Sequence, residues 1–128
     1  MSFLLDTHAL LWWLFDDPGL SQNARAIIAD PSNRMLVSSA SAWEIATKHR
    51  LGKLPAAEQL VQDLAGWVSK AGFLPLPIQI RHAEHAGRFP QPHRDPFDRM
   101  LAAQSLLEDC SLISRDRQLD PFGVTRIW

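Results

Sequence analysis

Four acidic residues of this sequence occupy positions at which side chains can meet and bind a cation. They are Asp6, Glu44, Asp98 and Asp116. Mg²⁺ is a hard cation that takes oxygen ligands, usually one or two carboxylates together with water molecules and substrate phosphate oxygens. Converging carboxylates repel one another unless a cation neutralises them, so a structural purpose alone would rarely assemble four. If these residues converge, they indicate a divalent-metal site.

The apolar pattern of the chain predicts how the four residues would converge. Short apolar runs typical of strands occur at 3–5, 35–37, 73–76, 111–114 and 123–127. Helical patterns lie between them, over about 9–15, after a capping Ser21, and over 41–51, 56–70, 78–87 and 96–108. This alternation predicts an α/β fold whose mainly parallel sheet is covered on both faces. In such sheets, sites gather beyond the carboxyl ends of the strands, where all four acidic residues would then lie.

Each acidic residue also has a structural interpretation. Glu44 completes a capping box with Ser41. Asp98 lies in the first turn of its helix, where the helix macrodipole stabilises a negative charge. Asp95 is well suited to cap that same helix ahead of Pro96, and Asp116 could be an ordinary turn residue. Asp6 has the least structural explanation, because a buried and unpaired charge is costly. The prediction of a metal site therefore rests on the set rather than on any one member.

Composition narrows the class of protein. A length of 128 residues predicts one domain over 1–128, and a net charge of −1 argues against a global basic field that would coat nucleic acid. Cys110 is the only cysteine, which excludes an intramolecular disulfide. The longest apolar run, 9–15, is far shorter than the roughly 20 residues of a membrane span. We therefore expect a cytoplasmic protein without membrane contact.

Basic residues close to the acidic ones could bind phosphates locally. Arg94 and Arg99 adjoin Asp98, and for these two we favour phosphate contact over a solvated helix face. For His8, two residues after Asp6, we favour a bond to backbone at the start of a helix over a phosphate contact.

Four segments resemble the PIN-domain nucleases, in particular the VapC-like toxin ribonucleases of type II toxin–antitoxin systems. They are FLLDTHALLWWL, SSASAWEIATKHRLGKL, HRDPFDRMLAAQS and LISRDRQLDPFG, and together they span nearly the whole chain. The resemblance implies a three-layer α/β/α sandwich around a parallel sheet of about five strands. It also implies an Mg²⁺- or Mn²⁺-dependent endoribonuclease whose products carry 5′-phosphate and 3′-hydroxyl ends, with a cognate antitoxin and a homodimer as protein partners.

The same resemblance assigns roles to individual residues. The acidic positions of the family fall on Asp6, Glu44, Asp98 and Asp116, with Asp6 and Asp98 as principal metal ligands and Glu44 either a ligand or a holder of water. Ser114 could orient a carboxylate or a water molecule, or simply bond to backbone at the end of a strand. Asp95 accompanies Asp98 as a further possible ligand.

Two features leave the roles of other residues open. Asp116 stands between Arg115 and Arg117, which could pair with it and weaken a metal role. Five tryptophans exceed what one small core clearly needs. Any aromatic residue among Trp12, Trp13 and Phe15 that remained exposed would suit a partner or self-association.

Two other functional classes compete with a nuclease. A phosphatase of the haloacid dehalogenase type also places an aspartate after its first strand, but it needs a second aspartate two residues later, where this chain has His8. A non-catalytic interaction module would use the acidic residues only as helix caps. Loss of Mn²⁺ binding on substitution of Asp6 and Asp98 distinguishes a metal site from such caps.

Overall fold

Five short strands form one parallel sheet in the computed structural model, which describes all 128 residues. The strands are β1 (Ser2–Leu5), β2 (Arg34–Ser38), β3 (Leu74–Leu76), β4 (Ser111–Ile113) and β5 (Arg126–Ile127). Their order across the sheet is β3-β2-β1-β4-β5, and every neighbouring pair is parallel. The chain therefore builds the sheet outward from β1 in one direction and then from β4 in the other, which creates a topological switch point between β1 and β4.

Helices connect the strands, as parallel pairing requires. They are α1 (Thr7–Leu14), α2 (Gln22–Ala29), α3 (Ser39–Arg50), α4 (Leu64–Lys70), α5 (Ile80–Arg88) and α6 (Pro96–Leu107). Three short 3-10 helices cover Pro55–Ala57, Leu60–Gln62 and Arg117–Phe122. No helix of this fold combines the length and the apolar character that a membrane span requires.

Alternation of side chains along the strands produces two separate cores. Phe3 and Leu5 face one core together with residues of α1, α2, α3 and α4, whereas Leu4 faces the other together with α6. Successive side chains of a strand point to opposite faces, so a sheet buried on both sides must be apolar at every position. The predicted α/β sandwich with a central parallel sheet is confirmed.

Several predicted boundaries are wrong for local reasons. The helix predicted over 56–70 is broken into two 3-10 helices and α4, because Asp63 leaves the helical conformation and its side chain accepts a hydrogen bond from Gly66 N at 3.0 Å. The strand predicted over 123–127 shortens to β5, since Gly123 has a φ of 86° and ends the preceding 3-10 helix. The cap predicted at Ser21 is confirmed, and Trp12 and Trp13 pack partly buried against the first core.

Candidate active site

The acidic residues come together beyond the carboxyl ends of the strands. Asp6 directly follows β1, and Ser114 and Asp116 follow β4, so these three lie at the topological switch point. Glu44 and Asp98 reach the same place from α3 and α6. This is where ligands bind in open parallel sheets.

Asp6 caps α1 and is almost completely buried. Its Oδ1 accepts a hydrogen bond from Ala9 N at 2.7 Å, and the residue is 7% exposed. Asp6 therefore has a structural role as a helix cap, which was not predicted from the sequence. Burial raises the pKa of its carboxyl above the usual range, against the lowering effects of the Ser114 side chain, the Ala9 backbone N–H and His8, while the charge of Glu44 raises it further.

Glu44 lies in the second turn of α3 rather than at its start. The helix begins at Ser39 and is capped by Ser38, so the predicted capping box of Ser41 and Glu44 is wrong. The Ser41 hydroxyl instead accepts a hydrogen bond from Thr7 Oγ1 at 3.0 Å. Glu44 is 4% exposed, and its Oε2 receives the Lys48 ammonium at 2.5 Å. An acidic side chain buried here has no capping role to explain it.

Asp95 and Asp98 both line the cleft, but only Asp95 caps α6. Asp95 Oδ1 accepts from Phe97 N at 2.9 Å and from Asp98 N at 3.2 Å, which confirms the predicted cap of α6. Asp98 Oδ2 contacts His93 Nε2 at 3.0 Å. Burial raises the pKa of the Asp98 carboxyl to about 6, and the charges of Asp95 and Glu44 contribute to that rise against the lowering effect of His93.

Ser114 and Asp116 follow β4 and are joined by a hydrogen bond, and Asp116 lines the cleft. The buried Ser114 hydroxyl accepts a hydrogen bond from Asp116 N at 3.0 Å, and Asp116 in turn caps the last 3-10 helix through Gln118 N at 2.9 Å. Neither Arg115 nor Arg117 forms an ion pair with Asp116, so the pairing considered from the sequence is absent.

Together these side chains line a cleft of about 450 Å³ that contains no hydrophobic residue. Its lining residues are Asp6, Thr7, His8, Glu44, Lys48, His93, Arg94, Asp95, Asp98, Asp116 and Gln118. No three Asp, Glu, His or Cys residues are grouped closely enough to hold a metal ion as they stand. Glu44 is engaged by Lys48, and Asp98 by His93.

His8 differs from its expected role. It is exposed, has no hydrogen bond to backbone, and packs its ring against Trp12 with 5.7 Å between centroids. His8 is one of the residues that line the cleft.

Hydroxyl bridges hold the helices of the cleft in register, and sequence reasoning missed them. Thr7 Oγ1 donates to Ser41 Oγ at 3.0 Å and so joins α1 to α3. Ser38, which caps α3, donates to Gln104 Oε1 of α6 at 2.5 Å. Ser38, Ser41 and Gln104 are fully buried. The residues stand out in the sequence only as polar positions within apolar surroundings, which does not reveal their partners.

Arg99 requires a correction. Its guanidinium donates five hydrogen bonds, all to backbone carbonyls of the segment that precedes α6: Ala86, Gly87, Phe89, Gln91 and His93. A guanidinium has only five N–H donors, so none is left for a phosphate. Arg99 therefore offers no free donor to the predicted phosphate in this structure, whereas Arg94 lines the cleft.

The cap of α6 leads to a first testable prediction. Replacing Asp95 by alanine removes two hydrogen bonds to backbone N–H groups, and we expect the free energy of unfolding to fall by about 1 kcal/mol. Urea unfolding followed by circular dichroism measures the loss. Asp95→Asn, which can still cap, is the matched control and should retain most of the stability. Equal losses in both variants would contradict a capping role.

Comparison with known proteins decides the family. The sequence profile of the PIN domain matches residues 3–123, which is nearly the whole chain. This chain belongs to the PIN domain family. The matched range includes all four cleft carboxylates.

Part of the chain is also similar to a curated ribonuclease. The chain is 43% identical over 61 residues to "Ribonuclease VapC16" of Mycobacterium tuberculosis (strain ATCC 25618 / H37Rv), an alignment that covers 48% of this chain and 43% of that protein. The chain thus matches less than half of the length of this relative.

Solved structures share the fold of this PIN domain at low sequence identity. VapBC2 from Rickettsia felis bound to a DNA fragment from the promoter superposes with a TM-score of 0.71 at 13% identity, covering 99% of this chain and 98% of that one. VapBC-1 from nontypeable Haemophilus influenzae gives 0.67 at 17% identity, covering 99% and 97%. A toxin–antitoxin complex from Klebsiella pneumoniae gives 0.59 at 17% identity, covering 98% and 95%.

Proposed function

We propose that this PIN domain is a divalent-metal-dependent endoribonuclease and the toxin component of a type II toxin–antitoxin pair. The observation that carries the proposal is the cleft at the switch point, which Asp6, Glu44, Asp98 and Asp116 all line and which has no hydrophobic lining residue. The name of the VapC16 relative supports RNA as the substrate.

The carboxylates of this cleft would share Mg²⁺ or Mn²⁺ with water molecules and substrate phosphate oxygens, which would complete a set of ligands that no three of these residues form by themselves. We assign Asp6 and Asp98 as principal ligands, with Glu44 and Asp116 beside them, because every acidic donor is an oxygen and hard cations prefer oxygen. The raised pKa values of Asp6 and Asp98 fit this role, since a cation relieves the cost of their buried charge. Such a cation would polarise the phosphate and an attacking water.

The remaining residues of the cleft would bind substrate and position water. Lys48 and Arg94 supply cations for phosphates, which a chain of net charge −1 offers only locally. Glu44 would hold the attacking water, and Ser114 and Asp95 would keep the neighbouring carboxylates in place. In the reaction, the oxygen of water bonds to phosphorus and the bond from phosphorus to the 3′ oxygen breaks. That oxygen takes up a proton, so the products carry 5′-phosphate and 3′-hydroxyl ends.

The partners would be an antitoxin and a second copy of this chain. Similarity to complexes named VapBC, and to one described as a toxin–antitoxin complex, supports the antitoxin. Co-expression with the product of the neighbouring gene and co-purification would test that partner.

Cleavage of RNA by the purified chain tests the central claim. Incubation of total bacterial RNA with the protein and Mn²⁺ should yield defined fragments whose new ends are mapped by sequencing. Chelator should stop the reaction, and added Mn²⁺ should restore it. A preparation that leaves the RNA intact with Mn²⁺, or cuts equally well in chelator, would overturn the proposal.

Binding of metal can be measured without any activity. We expect Mn²⁺ to bind the wild-type protein in calorimetry and to raise its melting temperature, because a ligand that binds only the folded state stabilises it by about 3 kcal/mol at one hundred times Kd. The double variant Asp6→Asn, Asp98→Asn should lose both effects. Asp30→Asn, which changes an exposed aspartate away from the cleft, is the control. Unchanged Mn²⁺ binding in the double variant would refute the assigned ligands.

A further inference from the structure

Two aromatic rings lie beside the carboxylate cleft. Trp43 of α3 and Phe97 of α6 meet edge to face, with 4.9 Å between ring centroids and 81° between planes. Trp43 is nevertheless 61% exposed. Such a ring contributes little to the core, although tryptophan carries one of the largest apolar surfaces of any side chain. A structural role thus leaves most of its surface unexplained.

The position of Trp43 ties it to the cleft. It immediately precedes Glu44, just as Phe97 immediately precedes Asp98, so each ring is mounted on a helix that also carries a cleft carboxylate. Successive residues of an α-helix project about 100° apart. Trp43 therefore projects about 100° around α3 from Glu44, which places it next to the cleft although it is not one of the residues that line it. Its contact with Phe97 restricts its orientation.

The charged groups of the cleft suit a phosphate backbone next to this ring. Lys48 lies on the same helix as Trp43, and Arg94 lies one residue before the cap of α6; both line the cleft. The cleft as a whole is acidic and Lys48 is paired with Glu44, so these two cations act locally, at the phosphate next to the carboxylates. An exposed aromatic ring next to basic side chains is a combination by which proteins bind single-stranded nucleic acid. A duplex keeps its bases stacked on one another, so only an unpaired base can stack on a protein ring.

From this juxtaposition we infer that Trp43 is a stacking platform for an unpaired base next to the phosphate held in the cleft. The inference rests on the proposed function. It makes Trp43 a positioning residue that selects unpaired substrate, and Phe97 the residue that fixes its ring.

A second copy of this chain is a poorer occupant for the ring. An aromatic side chain buries at most about 250 Å², whereas a stable interface needs about 800 Å² from each partner. The nearest other large apolar side chains that are exposed along these two helices lie at their ends. Leu51 directly follows α3, and Leu106 is in the last turn of α6. Both lie about two turns or more along the helix from the aromatic pair. The surface around Trp43 is therefore not a broad apolar patch.

Kinetics with three variants test the platform. The substrate is a 15-nucleotide single-stranded RNA that spans a cut site mapped in total bacterial RNA, with Mn²⁺ present. We expect Trp43→Ala to raise KM about 5- to 100-fold with a smaller change in kcat, because stacking contributes mainly to binding. Trp43→Phe should recover most of the loss. Trp67→Ala removes a partly exposed tryptophan of α4 outside the cleft and should behave as wild type.

Abasic substrates separate stacking from a structural effect. Single abasic nucleotides are placed in turn on either side of the cut. When the abasic nucleotide is at the stacked position, the affinity of wild type for the RNA should fall. The affinity of Trp43→Ala should not change, so the two proteins should then bind this RNA equally well. A structural defect would keep them apart on every substrate. We also expect the complementary strand, which pairs the base, to suppress cleavage by wild type.

Three results would overturn the inference. Trp43→Ala with unchanged KM on the intact RNA would remove the platform and leave the nuclease proposal standing. Conversion of a dimer to monomers by Trp43→Ala in sedimentation, with unchanged KM, would assign the ring to self-association. Failure of the wild-type protein to cut total RNA would remove the proposed function itself.

Discussion

Replacing Asp98 by asparagine should reduce RNA cleavage by at least 100-fold and, at the same time, make the folded protein more stable at neutral pH. The loss of cleavage follows from the proposed role of Asp98 as a principal metal ligand, because an amide neither carries the charge of a carboxylate nor binds a hard cation as well. The gain in stability follows from burial, which raises the pKa of the Asp98 carboxyl to about 6.

The sign of the stability change follows from linkage. A carboxyl whose pKa is about 6 in the folded state and about 3.9 in the unfolded state holds its proton more tightly when folded. Above pH 6 the ionised Asp98 therefore costs stability, and this cost disappears as the pH falls through 6 toward 4. Each pKa unit corresponds to about 1.4 kcal/mol, and the 23% exposure of the side chain reduces the gain to about 1–3 kcal/mol.

Thermal unfolding of wild type and Asp98→Asn in chelator, between pH 4 and 8, measures this difference without the stabilisation that bound metal would add to the wild type. Asp95, Glu44, His93 and Lys48 also face the site, so the comparison is made between proteins that differ only at Asp98. Asp120→Asn is the matched control, since Arg126 lowers the pKa of Asp120 and the variant should be slightly less stable with full cleavage. A pH-independent difference, or a less stable Asp98→Asn at pH 8, would contradict the prediction.

Replacing Arg99 by methionine should lower the free energy of unfolding by about 3 kcal/mol and reduce cleavage as well. The substitution keeps much of the apolar stem but removes five hydrogen bonds, so several carbonyls of the segment 86–93 lose their partner. His93 ends this segment and Arg94 follows it, and both line the cleft. Loosening the segment should therefore weaken substrate binding and raise KM.

Urea unfolding and cleavage kinetics measure the two effects of Arg99→Met. Arg88→Met is the control, because Arg88 is exposed and its contact is a long 3.5 Å pair with Glu84. Arg99→Lys keeps the charge with only three donors and should fall between wild type and Arg99→Met. Stability of Arg99→Met within 0.5 kcal/mol of wild type would show that the carbonyls find other partners.

Local chemistry made much of the fold predictable. The central positions of strands buried on both faces are apolar, and helix starts carry Asp or Ser next to Pro or apolar residues, so β1, β2, α2 and α6 were recognisable. The same logic placed Asp6 and Asp98 at one edge of the sheet. The helix predicted over 56–70 failed because its apolar spacing is correct while Asp63 interrupts the backbone.

Contacts between distant residues were not predictable. Ser38 and Gln104 are 66 positions apart, and nothing in either neighbourhood identifies the other. Arg99 looked like a phosphate ligand because it adjoins Asp98, but five carbonyls at the end of α5 and in the loop after it take its donors. Such partners are fixed by packing in three dimensions, which one sequence does not display.

The pairing of β1 with β4 has a consequence for how activity arises during folding. Leu5 pairs with Ile113, so the two sides of the cleft come from opposite ends of the chain. Closing so long a loop costs entropy before the contact repays it, which makes this a late and cooperative event. We therefore expect partly folded chains to hold Asp6 and Asp116 far apart, and the proposed nuclease activity to arise only once the central strands have paired.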